Sequence, residues 1–87
     1  MADVQMYVTA YCPYCLRAKA LLQRKGVAFA EINVEDDPEK RAWLVKATGM
    51  RTVPQTFIDG RSVGGCDDLH ALDRTGELDR LLGRSSP

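Results

Sequence analysis

Two cysteines separated by two residues are the part of the chain whose spacing points most directly to chemistry. Cys12 and Cys15 enclose Pro13 and Tyr14, and they follow a short segment of strand character and open a helical one. A Cys-x-x-Cys pair in this position is typical of thiol–disulfide exchange. In that reaction a thiolate attacks a disulfide and forms a mixed disulfide, which the second cysteine or a thiol from solution then resolves.

The two thiols are expected to play different parts because they lie at different depths of one helix. Cys12 is the predicted N-cap and Pro13 the first helical residue, so the Cys12 sulfur faces unpaired backbone N–H groups and the positive end of the helix dipole. Both effects favour the thiolate, and Arg17 and Lys19 are expected to add positive field. Cys15 lies one turn further on and is predicted to be buried, less ionised and the resolving thiol.

The same cysteine spacing also opens many zinc sites, but ligand counting argues against one here. A structural zinc site needs two further ligands, and outside the pair the chain offers only Cys66 and His70 as cysteine or histidine. We therefore predict no metal site of this kind. An iron–sulfur cluster shared between two chains stays open as an alternative, because Cys12 could supply a thiolate from each subunit.

The bulk composition is that of one globular domain. The chain has 87 residues, of which 45% are hydrophobic, and we predict a single domain over 1–87, with a core over about 4–82 and a polar tail over 83–87. Its 12 basic and 12 acidic residues give no net charge, which argues against nucleic-acid binding. No apolar run approaches the roughly 18–20 residues that span a bilayer, so we predict no membrane partner.

Cysteine usage and the first residues predict a reducing compartment. The chain has three cysteines, an odd number that does not suit a closed disulfide framework. A close cysteine pair in a reducing compartment is more often catalytic or metal-binding than structural. The first residues also lack the pattern of a secretory signal. We therefore expect a cytoplasmic location.

Hydrophobic periodicity and capping residues predict the elements that position the cysteine pair. Strands are predicted at Val4–Thr9, Val27–Val34, Gln55–Ile58 and Arg61–Val63, and helices at Pro13–Lys25, Pro38–Thr48, Cys66–Arg74 and Glu77–Leu82. On the first helix, Leu16, Ala20 and Leu21 are expected to face the core. On the second helix, at least one of Trp43 and Leu44 is expected to do so.

The order of these elements limits the fold. The first half is a βαβ unit, so its two strands should be parallel, whereas the Asp59-Gly60 turn makes the second half a hairpin packed by a helix. A four-stranded mixed sheet with helices on both faces is the simplest arrangement of these parts. We therefore predict an α/β protein with the thioredoxin fold, built as βαβ followed by ββα.

Three motifs together resemble the dithiol glutaredoxins of class I, in particular the bacterial short form. They are Cys12-Pro13-Tyr14-Cys15, Thr52-Val53-Pro54 and Gly65-Cys66-Asp67-Asp68, and the resemblance extends from Val4 to Leu82. It implies a glutathione-dependent oxidoreductase that reduces protein disulfides and glutathione mixed disulfides. Glutathione would be the co-substrate, with no permanently bound cofactor. The partners would be glutathione and disulfide-containing or glutathionylated proteins. The protein would act as a monomer.

The resemblance also implies a glutathione groove beside Cys12. The Val53–Pro54 bond would be cis and would expose the Val53 backbone to pair with the cysteine of glutathione, with Thr52 in the same turn. Gly65, Cys66 and Asp67 would bind the γ-glutamyl group at a helix start. Alternatively, Pro54 is trans and only closes a loop, Gly65 is a turn glycine, and Asp67 or Asp68 merely caps the helix.

One position departs from the family pattern. The family commonly has a lysine three residues before the first active-site cysteine, where this chain has Thr9. By resemblance, Arg41 would bind the glycyl carboxylate of glutathione, and Arg51 lies close to the same turn in sequence. Alternatively, both arginines are ordinary surface charges. Tyr14 would pack against glutathione or a protein substrate, or be a plain exposed aromatic.

The remaining candidate residues are not expected to take part in the thiol–disulfide exchange itself. Cys66 is expected to start a helix near the groove and not to be catalytic, while His70 and Trp43 are expected to pack. Two other functions stay open. The first is a glutaredoxin-like electron donor reduced by a thioredoxin reductase, and the second is a dimeric scaffold for an iron–sulfur cluster.

Overall fold

The structure, a computed structural model, describes residues 2–83. Its elements are β1 (Val4–Val8), α1 (Pro13–Arg24), β2 (Ala30–Asn33), α2 (Pro38–Thr48), β3 (Gln55–Ile58), β4 (Arg61–Gly64), α3 (Cys66–Thr75) and α4 (Glu77–Leu81). Every predicted element is present in the predicted order. Of the predicted tail, residues 84–87 lie outside the described residues.

The four strands form one mixed sheet in the order β2-β1-β3-β4. The central strand β1 is parallel to β2 and antiparallel to β3, and β4 completes the hairpin with β3. Parallel pairing of β1 and β2 follows from the α1 crossover, and antiparallel pairing of β3 and β4 from the tight turn between them. The topology confirms the predicted thioredoxin fold.

Side chains of β1 alternate between two cores, one on each face of the sheet. The larger core joins β1 and β3 to α1, α3 and α4, and its buried members are Val4, Met6, Val8, Cys15, Ala18, Leu21, Leu22, Ile58, Cys66, Leu69, Leu78 and Leu82. The smaller core lies on the α2 face and consists of Tyr7, Val34, Leu44 and Phe57. Cys15 and Cys66 therefore belong to the larger core, on the face of the sheet opposite to α2.

The predicted start of β2 is wrong by three residues. The strand begins at Ala30 and not at Val27. The reason is that α1 ends in a tight turn at Gly26, with φ at +69°, and the Val27 N–H donates to the Leu22 carbonyl at 3.1 Å. That N–H is therefore used to close the helix end, and pairing with β1 starts further along.

The predicted buried face of α1 is wrong at two positions. Leu16 is 62% exposed and Ala20 is also exposed, whereas Leu21 is buried as predicted. The buried stripe instead includes Cys15 and Ala18. Cys15 and Ala18 are small, so they contribute little to the hydrophobic pattern of the sequence. They nevertheless let the helix approach the sheet closely, while Leu16 remains in solvent.

On α2, Leu44 is buried and Trp43 is half-exposed, which confirms that at least one of the two faces the core. The Trp43 ring still packs against the smaller core. Its centroid lies 5.5 Å from that of Tyr7 and 5.7 Å from that of Phe57. Aromatic pairs at this separation stabilise each other beyond the area they bury. No helix among residues 2–83 is long and apolar enough to cross a membrane.

A charged cluster joins the ends of three helices. Lys25, after α1, forms ion pairs with Asp73 of α3 and, at 3.1 Å, with Asp79 of α4. The Asp73 carboxylate, followed by that of Asp79, raises the pKa of Lys25. One ammonium group that bridges two carboxylates therefore connects the end of α1 to α3 and to α4, and Leu78 of α4 also packs in the larger core.

We expect Lys25→Met to lower the midpoint of urea unfolding at neutral pH, and more so at low salt, because two carboxylates lose their shared cation. The raised pKa of Lys25 fixes the pH dependence. The stabilisation is complete below the unfolded-state value of about 10.4 and is lost as pH rises through the folded value. The difference in urea midpoint between the wild type and Lys25→Met should therefore disappear at high pH.

Lys40→Met is the control, since Lys40 pairs with Asp37 at 3.8 Å on an exposed surface. An equal loss in both variants would contradict a special role for the Lys25 cluster.

Candidate active site

Cys12 caps α1, as predicted. Its backbone is extended, with φ at −106° and ψ at 105°, and Pro13 is the first helical residue. The Cys15 N–H donates to the Cys12 Sγ at 3.1 Å. The sulfur of Cys12 thus takes the place that a serine or aspartate oxygen takes at ordinary helix starts.

Cys15 lies below Cys12 in the larger core and is only 2% exposed. Burial, followed by the hydrogen bond with Cys12, raises the pKa of the Cys15 thiol to about 12. The Cys12 charge raises it further. Cys15 therefore stays protonated near neutral pH, which leaves Cys12 as the candidate nucleophile of the pair.

A pocket of about 270 Å³ opens beside this pair. It contains the predicted site residues Tyr14, Thr52, Val53, Pro54, Gly65, Cys66 and Asp67. Its lining also includes three residues that had not been assigned to it, namely Met50, Gln55 and Asp68. A glutamine directly after the Thr-Val-Pro motif, in a strand that is otherwise apolar or β-branched, was the signal that could have identified Gln55.

The first wall of the pocket is the turn of residues 52–54, and its Val53–Pro54 bond is cis, as the resemblance implied. The Cys12 Sγ lies 3.8 Å from the Val53 carbonyl oxygen. This contact places the Cys12 sulfur at the edge of the turn, so that an extended chain paired with the Val53 backbone would lie beside it.

The second wall is the start of α3. The Gly65 N–H donates to the Asp68 Oδ2 at 3.0 Å, so Asp68 is the aspartate that caps this helix. The N–H groups of Cys66 and Asp67, in the first turn, have no acceptor within the helix itself. The Asp67 carboxylate is exposed and takes no part in the ion pairs found among residues 2–83.

Gly64 supports this wall through a conformation that other residues adopt poorly. Its φ is +96°, and a Cβ at this position would overlap the Asp68 side chain, at 2.7 Å from its Cγ. The Asp68 carboxylate therefore packs directly over Gly64 while it caps Gly65. A side chain at residue 64 would displace the cap of α3.

The match to a protein-family model decides the assignment. The model described as Glutaredoxin covers residues 4–63, which include the cysteine pair and the cis-proline turn. The chain belongs to the glutaredoxin family. Members of this family are thiol–disulfide oxidoreductases, which is the chemistry expected of the two thiols.

Individual glutaredoxins resemble this one over nearly its whole length. A glutaredoxin of Pseudomonas aeruginosa is 60% identical over 82 residues, which are 94% of this chain and 98% of the relative. Glutaredoxin 3 of Escherichia coli is 54% identical over 82 residues, with 94% and 99% covered. The solution structure of the Brucella melitensis glutaredoxin has a TM-score of 0.86 at 51% identity, with 99% and 96% covered. A buckwheat glutaredoxin, solved as a complex with glutathione, has a TM-score of 0.87 at 33% identity, with 94% and 77% covered.

The two arginines of this glutaredoxin border the pocket from outside. Arg41 and Arg51 line a neighbouring depression together with Pro38, Ala42 and Val45. The Arg41 guanidinium donates to the Arg51 carbonyl oxygen at 3.4 Å. The structure therefore brings the arginines together beside the turn of residues 52–54 but not into the pocket itself.

The cations expected around Cys12 differ in their surroundings. The Arg17 guanidinium lies 5.7 Å from the centre of the Tyr14 ring, over a half-exposed aromatic at the pocket. Lys19 instead pairs with Glu31 at 2.9 Å. The field that Lys19 was expected to add near Cys12 is therefore reduced by its own carboxylate partner.

Cys66 has the surroundings of an unreactive thiol. Burial, followed by the charge of Asp67, raises the pKa of the Cys66 thiol. The His70 Nδ1 lies 2.9 Å from the Cys66 carbonyl oxygen and must donate to it, so it has no lone pair for the Cys66 Sγ at 3.6 Å. His70 therefore does not activate Cys66 as a base. Within residues 2–83, no group of three or more histidine, cysteine, aspartate or glutamate side chains is arranged to bind a metal ion.

Proposed function

We propose that this glutaredoxin is a glutathione-dependent oxidoreductase that reduces protein disulfides and glutathione mixed disulfides, with glutathione as co-substrate and no permanently bound cofactor. One observation carries the proposal. The nucleophilic sulfur caps a helix and at the same time lies 3.8 Å from the Val53 carbonyl, at the edge of a peptide-sized pocket. The buckwheat relative, which was solved with glutathione, supports the same ligand.

Glutathione would bind as an extended tripeptide between the two walls of the pocket. Its cysteine would pair with the Val53 backbone beside Cys12. Its γ-glutamyl carboxylate would accept from the N–H groups at the start of α3, at Cys66 and Asp67, where the helix dipole favours an anion. The Asp67 carboxylate would receive the γ-glutamyl ammonium group. Tyr14 would cover the bound chain from the side of α1.

The reaction with a glutathione mixed disulfide begins at the Cys12 thiolate. It attacks the glutathionyl sulfur, a Cys12–glutathione disulfide forms, and the substrate thiolate departs and takes up a proton from water. A second glutathione thiolate then attacks the same glutathionyl sulfur. That step releases glutathione disulfide and restores the Cys12 thiolate. The catalytic cycle is therefore complete without Cys15.

Reduction of a protein disulfide uses both thiols. Once Cys12 is in a mixed disulfide with the protein, Cys15 attacks the Cys12 sulfur, closes the Cys12–Cys15 disulfide and releases the second protein thiolate. Burial is the largest cause that raises the pKa of Cys15 to about 12, and the hydrogen bond with Cys12 and the Cys12 charge add to it. The charge disappears when the mixed disulfide forms. The resolving thiol therefore becomes easier to ionise only after the first step has occurred.

The choice of reductant is tested by a coupled assay. Purified protein with a glutathionylated substrate should consume NADPH with glutathione and glutathione reductase, and not with a thioredoxin reductase. Turnover with the thioredoxin reductase alone would instead support the electron-donor alternative. We also propose that the protein works as a monomer in the cytoplasm, since one chain supplies both walls of the pocket and a close cysteine pair in a reducing compartment is more often catalytic than structural.

Arg41→Ala should raise the KM for glutathione about fivefold to tenfold and leave kcat nearly unchanged. The reason is that Arg41 borders the turn of residues 52–54 and would attract the glycyl carboxylate, with an effect of about 1 kcal/mol. Arg80→Ala is the matched control, because Arg80 is exposed and pairs with Glu77 on α4, away from the pocket. An unchanged KM in Arg41→Ala would leave Arg41 as an ordinary surface charge.

A further inference from the structure

The base of the pocket contains a buried polar side chain that the proposed mechanism does not use. Gln55 is the first residue of β3 and is 1% exposed. Within residues 2–83, its Oε1 atom is buried without a hydrogen-bond partner. A buried acceptor without a partner destabilises the folded state. An apolar side chain of similar size would avoid that cost but would lose the hydrogen bonds that the amide nitrogen at the other end makes.

The amide nitrogen of Gln55 holds the first wall of the pocket. Its Nε2 donates to the Thr52 carbonyl oxygen at 3.0 Å and lies 3.4 Å from the Thr52 Oγ1. Thr52 itself is exposed, so water could satisfy its carbonyl equally well. The bond to a buried, immobile donor instead fixes the direction of the peptide group just before Val53.

The same amide nitrogen lies against the second wall. A Cβ on Gly65 would be 4.0 Å from the Gln55 Nε2 and 3.1 Å from the Pro54 carbonyl oxygen. Gly65 therefore packs against both Pro54 and the Gln55 amide. The side chain of Gln55 lies where the turn of residues 52–54 meets the start of α3, so its position affects the spacing between the two walls.

We propose that Gln55 is a positioning residue for the proposed reaction: its amide holds the Thr52 carbonyl so that the Val53 backbone faces the groove at a fixed distance from α3. It acts through Thr52, which accepts the hydrogen bonds that the Gln55 side chain makes among residues 2–83. The proposal rests on the proposed function for its kinetic consequence. Its structural part, the fixed orientation of the turn, does not depend on which substrate is used.

The test replaces Gln55 with methionine, which has a similar length and no N–H donors. We expect the KM for a glutathione mixed disulfide to rise about fivefold, which is the factor that corresponds to about 1 kcal/mol for one lost hydrogen bond. The kcat should stay within about twofold of the wild type, because the chemistry at Cys12 is untouched. The midpoint of thermal unfolding should be unchanged or higher, because the unpartnered Oε1 is removed.

Thr56→Val is the matched control. Thr56 is the next residue of the same strand, is also fully buried, and also has a side-chain oxygen without a partner among residues 2–83. Its substitution is expected to leave KM and kcat unchanged, because Thr56 does not line the pocket. A rise in KM in both variants would mean that any change in β3 perturbs the site, and the specific role of Gln55 would be overturned.

Two further measurements keep the outcome decisive. Gln55→Glu keeps the shape and replaces the N–H donors with oxygens, so it should raise KM at least as much even if the methionine variant folds poorly. Amide chemical shifts of Thr52 and Val53, recorded without substrate, should move in both Gln55 variants and not in Thr56→Val. If the wild type fails to use glutathione, the proposed function falls, while the shifts still decide whether Gln55 orients the turn. Unchanged shifts and an unchanged KM would overturn the inference.

Discussion

Cys12→Ser should lower the turnover of a glutathione mixed disulfide by at least about a thousandfold, since it removes the thiolate that attacks the substrate disulfide in the proposed mechanism. A serine oxygen at the helix cap would still accept the Cys15 N–H bond, so the fold is expected to survive. However, a hydroxyl is not ionised by a helix start near neutral pH and does not exchange with disulfides. Circular dichroism confirms the fold, and the coupled NADPH assay measures the rate.

Cys15→Ser should behave differently and separates the two branches of the mechanism. It should keep most of its activity on glutathionylated substrates, because a second glutathione resolves the Cys12 intermediate. It should lose most of its activity on protein disulfides that require the internal Cys12–Cys15 disulfide. Equal loss on both substrate types would reject the branch that uses Cys12 alone.

Because the pKa of Cys15 is raised to about 12, iodoacetamide at neutral pH should label Cys12 first in the wild type, which mass spectrometry can follow.

Gly64→Ala should lower the free energy of unfolding by about 2–5 kcal/mol, a large loss for the addition of one methyl group. About 1–2 kcal/mol comes from the left-handed backbone, with φ at +96°. About 1–3 kcal/mol comes from the overlap of the new methyl group with the Asp68 side chain. Urea denaturation measures the loss. The KM for glutathione should also rise, because Asp68 would be displaced from the Gly65 N–H.

Gly60→Ala separates the two causes. Gly60 lies in the same hairpin with φ at +81°, but a Cβ there meets no atom within 4 Å. Its substitution should cost about 1–2 kcal/mol, for the backbone alone, and leave KM unchanged. If Gly64→Ala were no worse than Gly60→Ala, the packing of Asp68 over Gly64 would not matter for stability.

Local sequence signals predicted most of the fold because they coincide with local physical constraints. Asp37 accepts from the Lys40 N–H at 3.0 Å at the start of α2, and Gly49 ends that helix with φ at +74°. Both residues are recognisable as helix caps from residue type and position alone. In contrast, the start of β2 depends on a hydrogen bond from Val27 to Leu22, which leaves no mark in the pattern of apolar residues.

The functional site also has features that could be predicted from the sequence and features that could not. The order of the two cysteines along a helix was sufficient to predict that Cys15 is more buried than Cys12, which is only partly buried. The resemblance supplied the turn of residues 52–54 and the start of α3, which lie far from Cys12 in sequence. Neither source predicted that Gln55 lies between those walls or that Arg41 and Arg51 border a separate depression. These features depend on side-chain packing between distant elements.

The double role of the Cys12 sulfur affects the direction in which the reaction runs. A thiolate accepts a hydrogen bond from the Cys15 N–H more strongly than a disulfide sulfur does. This hydrogen bond of 3.1 Å is therefore strongest when Cys12 is not in a disulfide. Any disulfide at Cys12 weakens the first turn of α1, and expelling the sulfur again as a thiolate restores it. Stabilisation of the reduced form makes Cys12 a better leaving group. In the proposed reaction, part of the driving force for releasing Cys12 from a mixed disulfide is therefore the recovery of this hydrogen bond at the start of α1.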